Sequence, residues 1–261
     1  MKYFVVDAFT DTVFGGNPAG VCLPGREPDE ALMRNIAAEN NLPETAFVTP
    51  RGQGFGLRWF TPETEIDLCG HATLASAFVI RNFLDAKADK LEFYTKSGTL
   101  TVAYANGLYE MDFPARPPAR TEITPLMCEA LGCEILEAHI SRDLLLLLKD
   151  EAAVRELSPR FDIMRKLPGC FGVIATAEGR ECDFVSRFFA PNAGIPEDPV
   201  TGSSHSALIP FWAGRLKKDD MTARQLSRRG GVLICGNRGE RVKIAGKAAL
   251  YMKGEIQIGM R

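Results

Sequence analysis

Apolar and polar positions alternate along residues 2–9, with Phe4, Val6 and Ala8 on one side and Tyr3, Val5 and Asp7 on the other, which predicts a strand. Gly15-Gly16-Asn17-Pro18-Ala19-Gly20 turns the chain, and Val21-Cys22-Leu23 resumes the extended pattern. Such a loop either makes a plain hairpin turn or brings backbone amides and the Asn17 side chain to a ligand. Asp29 precedes a helical pattern as a candidate N-cap, with Leu32, Ile36 and Ala37 facing inward and Asn40-Asn41 at the end. Glu44-Thr45-Ala46-Phe47-Val48 and Phe55 to Phe60 predict strands. His71 to Phe83 is apolar almost all round until Arg81, the mark of a buried helix. Leu91 to Phe113 is strand-rich, with turns at Ser97-Gly98 and Asn106-Gly107.

Pro114 to Arg120, rich in proline, predicts a linker. Beyond it a short helix is expected over Pro125 to Gly132, a fully buried strand over Leu144 to Leu148, and a helical stretch from Glu151 to Leu157. Strands follow at Gly172–Thr176 and Cys182–Phe189. Ala207 to Trp212 predicts a second buried helix, with Pro210 placing a kink. The tail from Val232 to Ile258 reads as strands and turns.

Two stretches in this pattern echo each other. Glu65-Ile66-Asp67-Leu68-Cys69-Gly70-His71 is answered by Glu197-Asp198-Pro199-Val200-Thr201-Gly202-Ser203. Arg58-Trp59-Phe60-Thr61-Pro62 leads into the first, and Arg187-Phe188-Phe189-Ala190-Pro191 into the second. Gly70 and Gly202 stand 132 residues apart in a chain of 261. The pattern predicts one fold written twice: an α+β protein with a lobe over residues 1–115 and a lobe over 116–250. A C-terminal strand at 251–261 is a candidate addition to the first lobe.

Composition narrows the function classes. With 46% hydrophobic and 25% charged residues, the chain is an ordinary globular one. A net charge of −2 and the lack of a basic run argue against a nucleic-acid partner. No apolar stretch reaches the roughly 18 residues of a membrane span, and the apolar run at the N-terminus is too short for a signal peptide. Seven cysteines without a Cys-x-x-Cys pair read as reduced thiols in a cytoplasm.

The chemistry gathers at the two glycine elements. The amino end of a helix leaves unpaired N–H groups and the positive end of its dipole, suited to a substrate carboxylate. Gly70 and Gly202 would open two such ends toward a shared cleft, with Asn17 and Ser204 as further binding groups. If Ala46 and Val48 face a buried side, Glu44 shares it, and a carboxylate on an apolar face suits proton transfer. The cleft would hold Glu44, His71, Asp198 and Ser203. The bland readings are a frayed strand end for Glu44, a core histidine for His71, a turn for Asp198 and a helix cap for Ser203. Cys69-Gly70-His71 is too tightly spaced for two ligands of one ion. Neither nucleotide-binding signature is present, and Gly202-Ser203-Ser204-His205 is not a nucleophile elbow.

Four motifs in order give the chain a resemblance to the PhzF (phenazine biosynthesis-like) family of isomerases. They are Asp7-Ala8-Phe9 with Gly16-Asn17-Pro18-Ala19-Gly20, Asn41-Leu42-Pro43-Glu44-Thr45-Ala46-Phe47, Asp67-Leu68-Cys69-Gly70-His71-Ala72-Thr73, and Glu197 through His205. Pro43 stands where the family usually carries serine. The resemblance implies a diaminopimelate epimerase-like fold, two similar lobes each with a barrel-like sheet around a central helix, and a site between them. It also implies Glu44 as the proton shuttle, with His71, Asp198 and Ser203 as the other polar site residues. The reaction it implies is a cofactor-free proton shift in a small unsaturated, amino-acid-like carboxylate, in a homodimer. Two alternatives are a thiol-based amino-acid racemase or epimerase using Cys69, and a small-ligand-binding protein without catalysis. The racemase lacks a second cysteine near Gly202, and simple binding would not call for Glu44 on an apolar face.

Overall fold

The computed structural model describes residues 1–85 and 89–258. Met1–Asp112 with the chain from Ala245 onward form one compact unit, and Phe113–Ile244 form another. The last three residues of the expected strand 251–261 lie outside the described residues; the strand itself covers Ala248–Glu255.

In the first unit, Lys2–Ala8 lies between Ala248–Glu255 and Asn17–Leu23, antiparallel to both. Asn17–Leu23 runs parallel to Glu44–Arg51, which pairs antiparallel with Gly54–Phe60. Lys90–Thr95, Gly98–Ala105 and Leu108–Pro114 continue the sheet as a meander. The sheet wraps the helix Gly70–Phe83, which packs on strands from across the unit. Every residue of that helix from Gly70 to Ala77 is buried. Its two buried hydroxyls bond back to the helix itself: Thr73 Oγ1 donates to the Cys69 carbonyl at 2.5 Å and Ser76 Oγ to that of Ala72 at 2.7 Å. Buried hydroxyls satisfied in this way carry little desolvation cost. Asp29 caps the helix Glu30–Asn40 by accepting the Leu32 N–H at 2.7 Å. Met33, Ile36 and Ala37 form its buried face, and Leu32, expected inside, is half-buried. Spacing of three and four places Met33 on the stripe with Ile36 and Ala37, and turns Leu32 to its edge.

The second unit repeats the plan around the helix His205–Leu216. Trp212 stacks on Phe184 at 5.7 Å and donates its indole N–H to Thr176 Oγ1 at 3.0 Å, fastening the helix to two strands. Leu144–Leu147 is buried along its whole length, as expected, because it pairs antiparallel with Glu137–Ile140 and parallel with Val173–Glu178 and is covered on both faces. Its outer face packs into a core with Leu131, Val154, Ile163 and Met164, drawn from three short helices.

Pro114 to Arg120 is not a free linker. Ala119–Thr121 is a strand paired with Glu137–Ile140, and the Ala115 N–H donates to the Glu240 carbonyl. Pro210 has no N–H for the Ser206 carbonyl four residues earlier, and the Arg116 N–H takes that carbonyl at 2.8 Å. The proline-rich composition suggested slack, but the segment's few N–H groups are spent on carbonyls distant in sequence.

The repeat is visible in one recurring lock. Arg58 donates from Nε and Nη2 to both carboxylate oxygens of Glu65 at 2.7 and 2.8 Å. Arg187 does the same to Glu197 at 2.6 and 2.9 Å. Each guanidinium lies over the phenylalanine two residues on, Phe60 at 5.2 Å and Phe189 at 5.1 Å. The Arg58 hydrogen bonds, with Lys96 beside them, lower the Glu65 pKa to about 2. Each lock ties a long strand to the short one before a glycine element: Glu65–Ile66 in the first unit, Ile195–Asp198 in the second.

His205, at the start of the second helix, is wholly buried; its Nδ1–H donates to the Thr201 carbonyl at 2.8 Å, and its Nε2 has no partner among the described residues. Burial depresses its pKa to about 4, against the weaker pull of the Thr201 carbonyl. Above pH ~6.5 both folded and unfolded chains carry the neutral ring. Below it the unfolded chain takes up a proton that the folded chain refuses until pH about 4, so stability falls with pH in that window. The expected loss by pH 5 is roughly 2 kcal/mol, read from urea midpoints. His71, whose folded pKa is raised, has its full contribution below pH ~6.5 and does not change there. His205→Gln should flatten the dependence between pH 6.5 and 5; an unaltered slope would show that another group carries it.

Candidate active site

Gly16 begins the site. It adopts φ +61°, and a Cβ there would stand 2.1 Å from the Ala8 carbonyl oxygen, so the turn demands glycine. The turn delivers Asn17 as the first residue of its strand, fully buried. Ala19 of that strand is the register partner of Glu44. Glu44 is thereby held at 7% exposure on the face it shares with Ala46 and Val48, and is not a frayed end in water.

His71 is the second residue of the helix Gly70–Phe83 and is 5% exposed. Its Nε2 lies 3.0 Å from Glu44 Oε2. Its Nδ1 faces the Asn17 amide nitrogen at 3.3 Å and Cys69 Sγ at 3.5 Å. Burial works against a charged imidazole, but the Glu44 carboxylate 3.0 Å away, with the hydrogen-bonding contact to Cys69, outweighs it and holds the His71 pKa well above the usual value. Burial pushes the Cys69 thiol up, and the Glu44 charge adds to that, so Cys69 stays protonated near neutrality. Among the described residues neither Glu44 Oε2 nor His71 Nε2 has a well-aligned hydrogen bond, although the two atoms are close. Two buried polar atoms left in this state are placed for a ligand. Cys69 occupies the N-cap in extended backbone without a side-chain cap, leaving the Gly70 end of the helix open.

The ligand atoms of Glu44, Cys69 and His71 lie within 4.8 Å of one another, although the spacing of Cys69 and His71 reads as too tight for two ligands of one ion. They form a compact buried cluster. Glu44 lies against Nε2 of the ring and Cys69 against Nδ1.

The second unit assembles its own group. Asp198 ends the strand Ile195–Asp198 and accepts a short hydrogen bond from the Thr201 hydroxyl. Buried Gln225 brackets the turn, its Nε2–H donating to the Asp198 carbonyl at 2.7 Å and its Oε1 accepting the Thr201 N–H at 2.8 Å. Ser204 is buried and donates its hydroxyl to the Thr201 carbonyl at 2.8 Å. Ser203 Oγ accepts from Arg142 Nη2 at 3.1 Å. The helix starts at His205, not directly after Gly202. His205 and Ser206 donate back to the carbonyls of Gly202 and Ser203, which closes a tight turn first.

Thus Glu44, His71, Asn17 and Gly70 belong to one unit, and Asp198, Gly202, Ser203 and Ser204 to the other. Gln225 and Arg142 escaped the sequence reading, because each acts on the glycine element from a strand or turn remote in sequence. The one available signal for Arg142 was a charged pair, Arg142-Asp143, set against the buried run Leu144–Leu147.

Residues 6–254 match the model of the family described as phenazine biosynthesis-like protein. The chain is 48% identical over 258 residues to a Pseudomonas aeruginosa protein named as an uncharacterized isomerase, covering 99% of each. It superposes on the crystal structure of a phenazine biosynthesis protein of the PhzF family from Enterococcus faecalis with a TM-score of 0.97, at 49% identity, covering 98% of this chain and 99% of that one. A probable proline racemase from Agrobacterium radiobacter, solved with bound carbonate, matches in fold at a TM-score of 0.65 and 12% identity, covering 99% of this chain and 93% of that one.

Proposed function

The chain belongs to the phenazine biosynthesis-like family and is an isomerase; from that premise we propose that it moves a proton between two carbons of a small unsaturated, amino-acid-like carboxylate, with Glu44 as the shuttle and without a cofactor. One observation carries this reading: the Glu44 carboxylate, buried and 3.0 Å from the imidazole of His71. Glu44 takes a proton from one carbon, and the C–H electron pair becomes part of a new double bond. The old double bond shifts, and its far carbon takes the proton back from Glu44. The carboxylate passes through its acid form and returns, so no proton is gained or lost. His71 balances its charge, and the amide of Asn17 steadies the far edge of the ring.

In this proposal Asp198 and Ser203 also contact substrate, the helix ends after Gly70 and Gly202 supply N–H donors for anionic groups, Ser204 braces its turn, and the active form is a cytoplasmic homodimer. Among the described residues no helix is long and apolar enough to cross a membrane. The racemase alternative gains nothing from Cys69: its thiol is held protonated by burial, and Val200, Thr201 and Ser203 fill the ground where a second thiol would stand. The test is a screen of small unsaturated carboxylates in deuterated water, reading exchange at carbon by mass spectrometry. The expected result is deuterium in one geometric class of substrate, with a shifted double bond. Inversion at a saturated carbon, or no exchange with any of them, would sink the reading.

A further inference from the structure

Arg142 is held more firmly than a surface arginine needs to be. Its Nε lies 3.2 and 3.1 Å from the two carboxylate oxygens of Asp143, and its Nη2 donates to Asp143 at 2.8 Å and to Ser203 Oγ at 3.1 Å. The guanidinium carbon sits 4.9 Å from the centroid of the Phe171 ring, and the Phe171 N–H donates to the Arg142 carbonyl at 3.0 Å. Asp143 is 2% exposed, while the Arg142 side chain is 32% exposed. Burial raises the Asp143 pKa against the pull of Arg142 and Arg116. A carboxylate buried at that cost serves to fix the fork of the arginine.

Two donors remain. Among the described residues the Arg142 Nη1 group has no hydrogen-bond partner, and the Ser203 hydroxyl, whose oxygen already accepts from Arg142, has no acceptor for its own proton. Phe171 covers one face of the guanidinium. The Arg142 charge is balanced by Asp143, so the site offers directional donors and little net field. That combination suits a monoanion with planar acceptor geometry better than a compact dianion.

We propose that Arg142 and Ser203 form a receptor for the carboxylate of the substrate, the carboxylate accepting from Arg142 Nη1 and from the Ser203 hydroxyl. This rests on the reading of Ser203 as a substrate-contacting residue and is independent of the chemistry assigned to Glu44. The probes are benzoate, its neutral isostere benzamide, and inorganic phosphate, titrated into the full chain by calorimetry. Benzoate is expected to bind wild type at least tenfold more tightly than either of the others. Because Arg142→Gln leaves Asp143 buried without its partner, the deciding variant is Arg142→Gln with Asp143→Asn, checked for folding by circular dichroism. Benzoate should weaken tenfold or more in it and several-fold in Ser203→Ala, and Arg142→Lys should not restore binding, since a point charge lacks the fork.

Benzoate affinity within twofold of wild type in the double variant, equal binding of benzamide, or no benzoate binding to wild type overturns the proposal. If the double variant binds normally while Glu44→Gln loses exchange, the receptor fails and the proton shuttle stands. If the double variant loses benzoate while Glu44→Gln keeps full exchange, the receptor stands and the shuttle fails.

Discussion

Deuterium exchange at the substrate carbon should fall ~10²-fold or more when Glu44 is replaced by glutamine, the scale of losing a positioned acid–base group. Glutamine keeps the size and the hydrogen-bonding reach of the side chain and removes its ability to hold a proton. Ligand affinity should change far less, because the loss falls on the transition state. The same variant has a readout that needs no substrate. Without the Glu44 charge 3.0 Å away, burial should win at His71 and its pKa should drop, which long-range proton–nitrogen NMR of the ring would record. Cys69→Ser should be mild in the exchange assay, since serine keeps a donor and acceptor beside His71 Nδ1. A racemase predicts the reverse order, with Cys69→Ser inactive and Glu44→Gln tolerated. Full exchange in both variants would remove Glu44 from the mechanism.

Arg187→Met should destabilise the protein by about 3 kcal/mol, the scale of breaking a poorly exposed, hydrogen-bonded ion pair from one side. Glu197 would lose both of its hydrogen bonds from Arg187. The Leu157 carbonyl, which Arg187 Nη1 also reaches at 2.8 Å, would lose its donor. Arg58→Met breaks the matching lock in the first unit, yet it should cost about half as much or less. There Lys96 remains beside Glu65 to balance the carboxylate, and the other partners, Glu27 and Glu30, are exposed enough to turn to water. Urea midpoints of the two variants decide it, and equal losses would mean that the locks are set by packing over Phe60 and Phe189 and not by charge.

These locks also show what was legible in the sequence. The paired Arg-aromatic-Phe and glycine elements announced the repeat, because each lies within about a dozen residues and uses few residue types. The two helices were readable because an apolar run with no polar face has one stable home. Glu44 was readable because a strand of period two assigns it a side. The two-residue strand Glu65–Ile66 and the four-residue Ile195–Asp198 were invisible, being too short to show a period. The Arg142–Ser203 contact spans 61 residues and Gln225–Thr201 spans 24. No local pattern records such pairs, because each side chain would look the same if its partner were water. Pro114 to Arg120 was misread for a related reason: composition reports what a segment could do unaided, and here its N–H groups answer carbonyls elsewhere.

The strand Lys2–Ala8 bears on how the chain is made. It is synthesised long before one of its two neighbours in the sheet, Ala248–Glu255. The Met1 amino group and the Ile256 carbonyl, 255 residues apart, close the same ladder at 2.9 Å. Throughout synthesis the first unit has an open sheet edge along Lys2–Ala8, while Phe113–Ile244 is contiguous and can complete its own core beforehand. An unpaired edge held open that long is a site for mispairing with another nascent chain. The newborn chain therefore carries an aggregation-prone edge at Lys2–Ala8, and that exposure lasts until Ala248–Glu255 emerges.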